Sequence, residues 1–190
     1  MNSQALYEQF KEKAEAVSAQ VTRAATPRDA LAEIAGYLRD IGTQRGEGFT
    51  TVWAPSPVFN GLDLEAALDG VGPVYFERLD HHARDALVGV AEADLAIAET
   101  GTLGQDATDL DKRLATTLPF ISILVVRTGR LIPTMADALE RFSAGLPGYL
   151  ALITGPSRTA DIERVLTIGV HGPEYLWVIF VDGEGGENDG

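Results

Sequence analysis

Apolar residues recur at helical spacing from the start of the chain. Leu6, Phe10, Ala14, Val17 and Val21 form one stripe, and Glu8, Lys11, Glu12 and Glu15 fall away from it. That pattern predicts an amphipathic helix over 3–23. Thr26 followed by Pro27 reads as an N-cap and a first helical position. Leu31, Ile34, Ala35 and Leu38 carry the second helix on, and Gly42 marks its end. Turn residues around Gly46, Gly48 and Asn60-Gly61 bracket a strand at 50–53. A short helix at 63–68, a short strand at 74–76 and a helix at 81–90 with Leu87 and Val88 inward follow. The next stretch, ADLAIAETGT, holds a small buried strand at 95–98 that ends in polar residues and is placed to form a hairpin with a strand starting at Thr102. A helical turn at 109–114 precedes 120–126 (FISILVV), apolar on both faces as a central strand should be. Thr128-Gly129-Arg130 turns the chain into a helix at 133–142 with Met135, Ala138, Leu139 and Phe142 on one side.

The last unit is the one around which the chain is organised: a strand at 150–153, the turn Thr154-Gly155-Pro156-Ser157, a helix at 159–167 and a strand at 176–181. Strand, loop, helix, strand is the unit that builds parallel sheets. With about six strands alternating with helices, the expected fold class is α/β, a mostly parallel sheet flanked by helices on both faces. The expected organisation is an N-terminal helical segment (1–45), an α/β domain (46–182) and a disordered acidic tail (183–190), with no internal repeat.

Composition narrows the function classes. The 190 residues carry a formal charge of −13, and the tail residues Asp182, Glu184, Glu187 and Asp189 have no basic neighbour. A surface this acidic repels phosphate backbones, which argues against nucleic-acid binding, and an anionic ligand would need local help from N–H groups and an arginine. There is no cysteine, so neither a disulfide nor a thiolate-held zinc or iron–sulfur site can form within the chain. The first residues lack the apolar run of a signal peptide, and no stretch reaches the ~20 apolar residues of a membrane helix, so membrane insertion is not expected and a cytoplasmic location fits.

Three motifs could carry chemistry. In Gly155-Pro156-Ser157-Arg158-Thr159-Ala160-Asp161, glycine permits a sharp turn, Ser157 or Thr159 can cap a helix, and Arg158 offers a forked cation for carboxylate or phosphate. Asp161 suits the helix N-terminus but competes with an anion there. The loop follows a strand and opens a helix, where α/β sheets bind ligands, although an ordinary capped helix explains the same residues. It is neither a Walker loop nor a dinucleotide fingerprint. In Glu99-Thr100-Gly101-Thr102, a carboxylate flanked by hydroxyls at a strand end could serve as base, nucleophile or orienting acceptor; a polar hairpin turn is the plainer reading. In His171-Gly172-Pro173, glycine bares an imidazole able to shuttle a proton or hold an anion. His81 and His82 are adjacent and share no helical face, so no metal site is expected.

These runs together, ADLAIAETGT, LPFISILVV, RLIPTMADALE and TGPSRTADIERVLTIGVHGP, resemble the LUD-domain family in its lactate-utilization branch, over about residues 53–182. The resemblance implies a fold like that of the sugar-phosphate isomerases and CoA-transferases (the NagB/RpiA/CoA transferase-like fold). It implies a cytoplasmic role in oxidising L-lactate to pyruvate, as one member of a three-protein system. The iron–sulfur clusters are expected on the partner proteins, and no cofactor within this chain. Carried onto this sequence, the motif positions are Glu99, Thr100, Gly101 and Thr102, then Gly155, Ser157, Arg158, Thr159 and Asp161, then His171 and Gly172. The expectation that follows is an accessory subunit that binds a small anion, a nucleotide or the iron–sulfur partners, with the first helix as a lid on the sheet or a docking arm. The alternative is an independent enzyme using Glu99 as nucleophile or base, with His171 assisting.

Overall fold

Alternate residues of one strand decide both faces of the molecule. The structure, a computed structural model, describes residues 2–45, 48–143, 145, 147–157 and 172–183. In β7 (Ile121–Arg127), Ile123 and Val125 point into a core shared with Ile34 and Leu38 of α2 (Pro27–Arg45). Leu124 and Val126 point the other way, into a core shared with Leu6 and Phe10 of α1 (Ser3–Ala16). All four strand residues are fully buried, each stabilising the fold by about 1.5–3 kcal/mol.

Five more strands join β7 in one all-parallel sheet: β1 (Gln20–Ala24), β2 (Thr51–Trp53), β3 (Val74–Tyr75), β4 (Val88–Glu92) and β10 (Tyr175–Val181). Their order is β1-β10-β7-β4-β2-β3. A second sheet, of order β8-β5-β6-β9, is formed by β5 (Leu95–Ile97), β6 (Thr102–Asp106), β8 (Leu131–Ile132) and β9 (Leu150–Ile153). Ala96 and Leu103 of this sheet join the α1 core. The molecule is therefore layered: α2 and α3 (Leu64–Ala67) on one face of the parallel sheet, and on the other α1, α4 (Leu110–Thr117) and the small sheet. At Gly89 of β4 a Cβ would sit 1.9 Å from the Ala115 carbonyl oxygen, so α4 rests directly on the strand backbone. The last helix, α5 (Met135–Ser143), buries Ala138 against Leu95 and Ile97.

The fold class is the expected one, and several elements are not. Residues 3–23 do not form one helix. Ser18 adopts a left-handed conformation (φ 73°), α1 stops at Ala16, and β1 follows as an edge strand parallel to β10. Val21 extended the helical stripe by coincidence, and its branched side chain suits the pleat better. Gly42 does not end α2; it lies within the helix, with the Phe49 ring in van der Waals reach of the space a Cβ would fill. The Thr26 cap is real: its Oγ1 accepts from the Asp29 N–H at 3.1 Å. Residues 81–90 are not a helix but a short 3-10 turn and turns leading into β4, whose residues are all buried. A short apolar run has no period with which to declare itself, and pairing with both β2 and β7 decided it. Leu139 faces solvent. Finally, β9 and β10 do not belong to one parallel unit. β9 pairs antiparallel with β6 in the small sheet, whereas β10 lies between β1 and β7 in the large one. The helix expected at 159–167 lies outside the described residues.

Candidate functional site

The β5–β6 hairpin and the end of β9 bring two of the three sequence motifs together. Pairing of Leu103 with Ile153 sets the register, so Thr102, the first residue of β6, and Thr154, just beyond β9, meet. Thr100 Oγ1 donates to Thr102 Oγ1 at 2.8 Å, and Thr102 Oγ1 lies 2.7 Å from Thr154 Oγ1. With Thr100 donating to Thr102, Thr102 can donate to Thr154, and the exposed Thr154 hydroxyl is left with its proton directed elsewhere. Thr102 itself is buried, so the chain of hydroxyls runs from inside the small sheet to the surface. The third motif joins at Ser157, whose N–H donates to the Pro173 carbonyl at 2.8 Å. A Cβ on Gly172 would stand 3.0 Å from that of Ser157.

Gly101 in the hairpin and Gly155 in the turn after β9 both have positive φ, 65° and 74°, and the end of α1 with its C-cap Val17 covers both. A Cβ on Gly101 would lie 2.5 Å from the Ala14 N, and one on Gly155 would lie 2.9 Å from the Val17 carbonyl oxygen. The small residues thus admit the end of α1 rather than open space. This is the lid arrangement of the first helix, anchored by Phe10 and Tyr7 edge-on against Phe180.

Glu99 is exposed, and its carboxylate is engaged: Oε2 accepts from the Met135 N–H at 2.9 Å, at the first turn of α5. There it answers an otherwise unpaired amide and the helix dipole. Arg158, Thr159, Asp161 and His171 lie outside the described residues. Thr154 was read from sequence as a turn residue; its position directly after an apolar strand, like that of Thr102 at the opening of the next, was the signal that the two could meet.

Sequence reasoning also missed the charged groups at the carboxyl ends of the parallel strands. Glu92, the last residue of β4, is buried; its Oε2 accepts from the Val58 N–H at 2.6 Å and its Oε1 from Arg127 Nε at 3.2 Å. An acid closing the apolar run Val88–Ala91 was the visible clue. Beside it, Asp182 accepts from Arg23 Nε at 2.8 Å and from Thr128 Oγ1 at 2.5 Å, and Arg23 also donates to Gln4 Oε1. Burial pushes the Asp182 carboxyl upward, but the Arg23 and Thr128 bonds outweigh it and hold the group below its ordinary value. Tyr7, under the Arg23 guanidinium, is raised by burial and by Glu8. Among the described residues no group of His, Asp or Glu is arranged to hold a metal ion, and no helix is long and apolar enough to cross a membrane.

Known proteins match most of this chain. The LUD domain family model covers residues 7–181. The lactate utilization protein C of Geobacillus sp. (strain WCH70) is 30% identical over 188 residues, 88% of this chain and 77% of that protein. That of Geobacillus kaustophilus (strain HTA426) is 37% identical over 171 residues, 80% of this chain and 70% of that protein. With the protein of the same name from Macrococcus caseolyticus (strain JCSC5402) the match is 36% over 106 residues and spans 46% of that protein's length. The fold is that of a DUF162 family protein from Deinococcus radiodurans, whose crystal structure superposes with a TM-score of 0.65 at 23% identity, covering 95% of this chain and 99% of the other. By the extent of the family match and by these relatives, the chain belongs to the LUD domain family.

Proposed function

We propose that this protein is an accessory subunit of a lactate-utilization system and binds a small anion or nucleotide at the corner where the three motifs meet. The observation that carries the reading is the 2.7 Å contact between Thr102 and Thr154, which joins loops 52 residues apart into one cluster of hydroxyls. The Thr154 hydroxyl and the turn after β9 supply neutral donors, and neutral donors are what a protein of charge −13 needs to hold an anion against its own field. In this reading Arg158 neutralises the ligand, Thr159 and Asp161 belong to the ligand-binding set and His171 closes the site. Lactate oxidation to pyruvate removes two electrons. With no cysteine in this chain, the iron–sulfur chemistry belongs to partner proteins in the cytoplasm, and no electron-transfer step is assigned here.

Calorimetric titration of lactate, pyruvate, phosphate and CoA into wild type, Thr102→Val and Arg158→Ala tests the site. One ligand should bind wild type and lose about tenfold or more in affinity in each variant, a difference of ~1.4 kcal/mol. Equal affinity in all three proteins, or no binding of any ligand, removes the proposal. The enzymatic alternative predicts turnover of a CoA ester or sugar phosphate that Glu99→Gln abolishes. The engagement of Glu99 at α5 favours the accessory reading over it.

A further inference from the structure

Between α2 and α3 lies a groove of about 630 Å3, on the α2 side of the parallel sheet and away from the threonine corner. Arg28, Ala32 and Arg39 line it from α2, and Leu62, Ala66 and Ala67 from α3 and the turn before it. Ala32 and Ala66 are exposed and Leu62 and Ala67 half-buried, so these floor residues face the open space and are mostly small. On α2 the lining begins at Arg28 and ends at Arg39, both exposed. Asp63 also borders the groove, but its carboxylate caps α3, accepting from the Ala66 N–H at 3.0 Å.

In a chain of formal charge −13, these two arginines meet no carboxylate among the described residues. Arg28 has no hydrogen-bond partner there either, and Asp29 beside it is engaged with Thr26. Arg39 donates from one terminal nitrogen to the carbonyls of Ala67 and Asp69, at 2.9 and 3.4 Å, which leaves its charge uncompensated. Arg28 also stands in the first turn of α2, where the helix dipole adds to the attraction for an acid. The chain itself brings acids to this place. After β10, a Cβ on Gly183 would lie 3.7 Å from the Ala25 carbonyl oxygen and 3.9 Å from Pro27 Cδ, so the backbone leaves the described residues beside Arg28. Residues 184–190 read EGGENDG. From Glu184 to Asp189 an extended chain spans ~16.5 Å at about 3.3 Å per residue. From Arg28 to Arg39 the helix axis rises ~16.5 Å at about 1.5 Å per residue. Gly185 and Gly186, between the acids, let a backbone approach a floor of alanines closely.

We propose that residues 184–190 lie along this groove as a strap, with Glu184 on Arg28, Asp189 on Arg39 and Gly185-Gly186 against Ala32 and Ala66. The tail has no apolar side chain to bury, so the contact is held by charge and weakens with salt. At low salt the strap closes the groove to other acidic segments. It does not depend on the threonine corner: either can fail without the other.

The test uses the full chain labelled with 15N. The chain has no cysteine, so Asn188→Cys gives a single site for a nitroxide label and keeps the tail carboxylates. Amide signals near the label broaden. The expected result at low salt is broadening at Ala32 and Ala66, with Ala138, packed under α5 on the small sheet, left sharp as the internal control. The broadening should be lost in 1 M salt, where the screening length falls to about 3 Å, and in Arg28→Glu/Arg39→Glu. Glu184→Gln/Glu187→Gln/Asp189→Asn leaves the groove untouched and should lose it as well. No broadening at Ala32 and Ala66, equal broadening at Ala138, or broadening that survives 1 M salt or either set of substitutions overturns the proposal. So does broadening of unlabelled 15N chains mixed with nitroxide-labelled chains that lack 15N, because the tail would then lie on another copy.

Discussion

The threonine corner and the carboxyl edge of the parallel sheet satisfy their polar groups by opposite means. At the corner, three hydroxyls hydrogen-bond in sequence, end at the exposed Thr154, and are roofed by the last turn of α1. At the sheet edge the charges answer one another: Glu92 holds Arg127 and the Val58 N–H, and Asp182 holds Arg23 and Thr128. Among the described residues, what the parallel sheet leaves unanswered is a set of buried polar atoms, Thr51 Oγ1, Trp53 Nε1 and Ser122 Oγ. The lesson is that a density of motif residues and an unmet hydrogen-bonding demand are separate signals. The motifs lie at the corner, where most of the polar groups described already have partners, and the unmet demand lies where no motif was read.

The contrast can be broken most forcefully at Glu92. Glu92→Ala strips the partner from a guanidinium and from a backbone N–H and should cost about 3 kcal/mol, at the lower end for a buried pair because Arg127 keeps some contact with water. Urea denaturation measures it, and a loss below ~1 kcal/mol would mean the pair is merely a surface contact. Next comes Gly101→Ala, which forces a side chain into a left-handed residue pressed on α1 and should cost about 2–3 kcal/mol. Hydrogen exchange should then show faster opening of α1 than of β7; uniform loosening of both would refute the roof described here.

Thr102→Val keeps the shape of the buried side chain and removes the middle hydroxyl of the chain. About 1 kcal/mol of stability should go with it, readable as a lower midpoint in urea, and an unchanged midpoint would show that the cluster is not coupled. The smallest effect is the acid dependence set by Asp182. Its folded pKa lies below the unfolded value, so its contribution is present above the ordinary carboxylate pKa of about 3.9 and is lost as pH falls through the folded value. Asp182→Asn should therefore make the acid limb of the stability profile shallower while leaving the slope around neutral pH unaltered. An acid limb identical to wild type would exclude that role. The side chain is one-third exposed, so the change should be modest.

Much of the fold was legible along the chain because one period dominated each legible element. The stripe of α2, the two-faced apolar run of β7 and the hairpin of β5 and β6 each have a single structural solution. β1 and β4 were hidden for the opposite reason. Val21 satisfied a helical period and the pleat equally well, and Val88–Ala91 is too short to show any period at all. Among the site residues, Thr100, Gly101, Thr102, Gly155 and Ser157 were found as turn chemistry at strand ends. Thr154 and Glu92 were passed over because their importance is a matter of what stands opposite them.

By itself, the sequence determined the α/β class, the family motifs, the absence of any thiolate chemistry and the acidic field in which a ligand must be held. Those properties follow from residue type and local period, which need no knowledge of partners. Tertiary structure alone decided that β9 and β10 part into different sheets, that the end of α1 seals the two glycine turns, and that the Trp53 indole N–H is buried without an acceptor among the described residues. Strand pairing and burial are relations between distant residues, and no local pattern specifies which of several suitable edges a strand will choose.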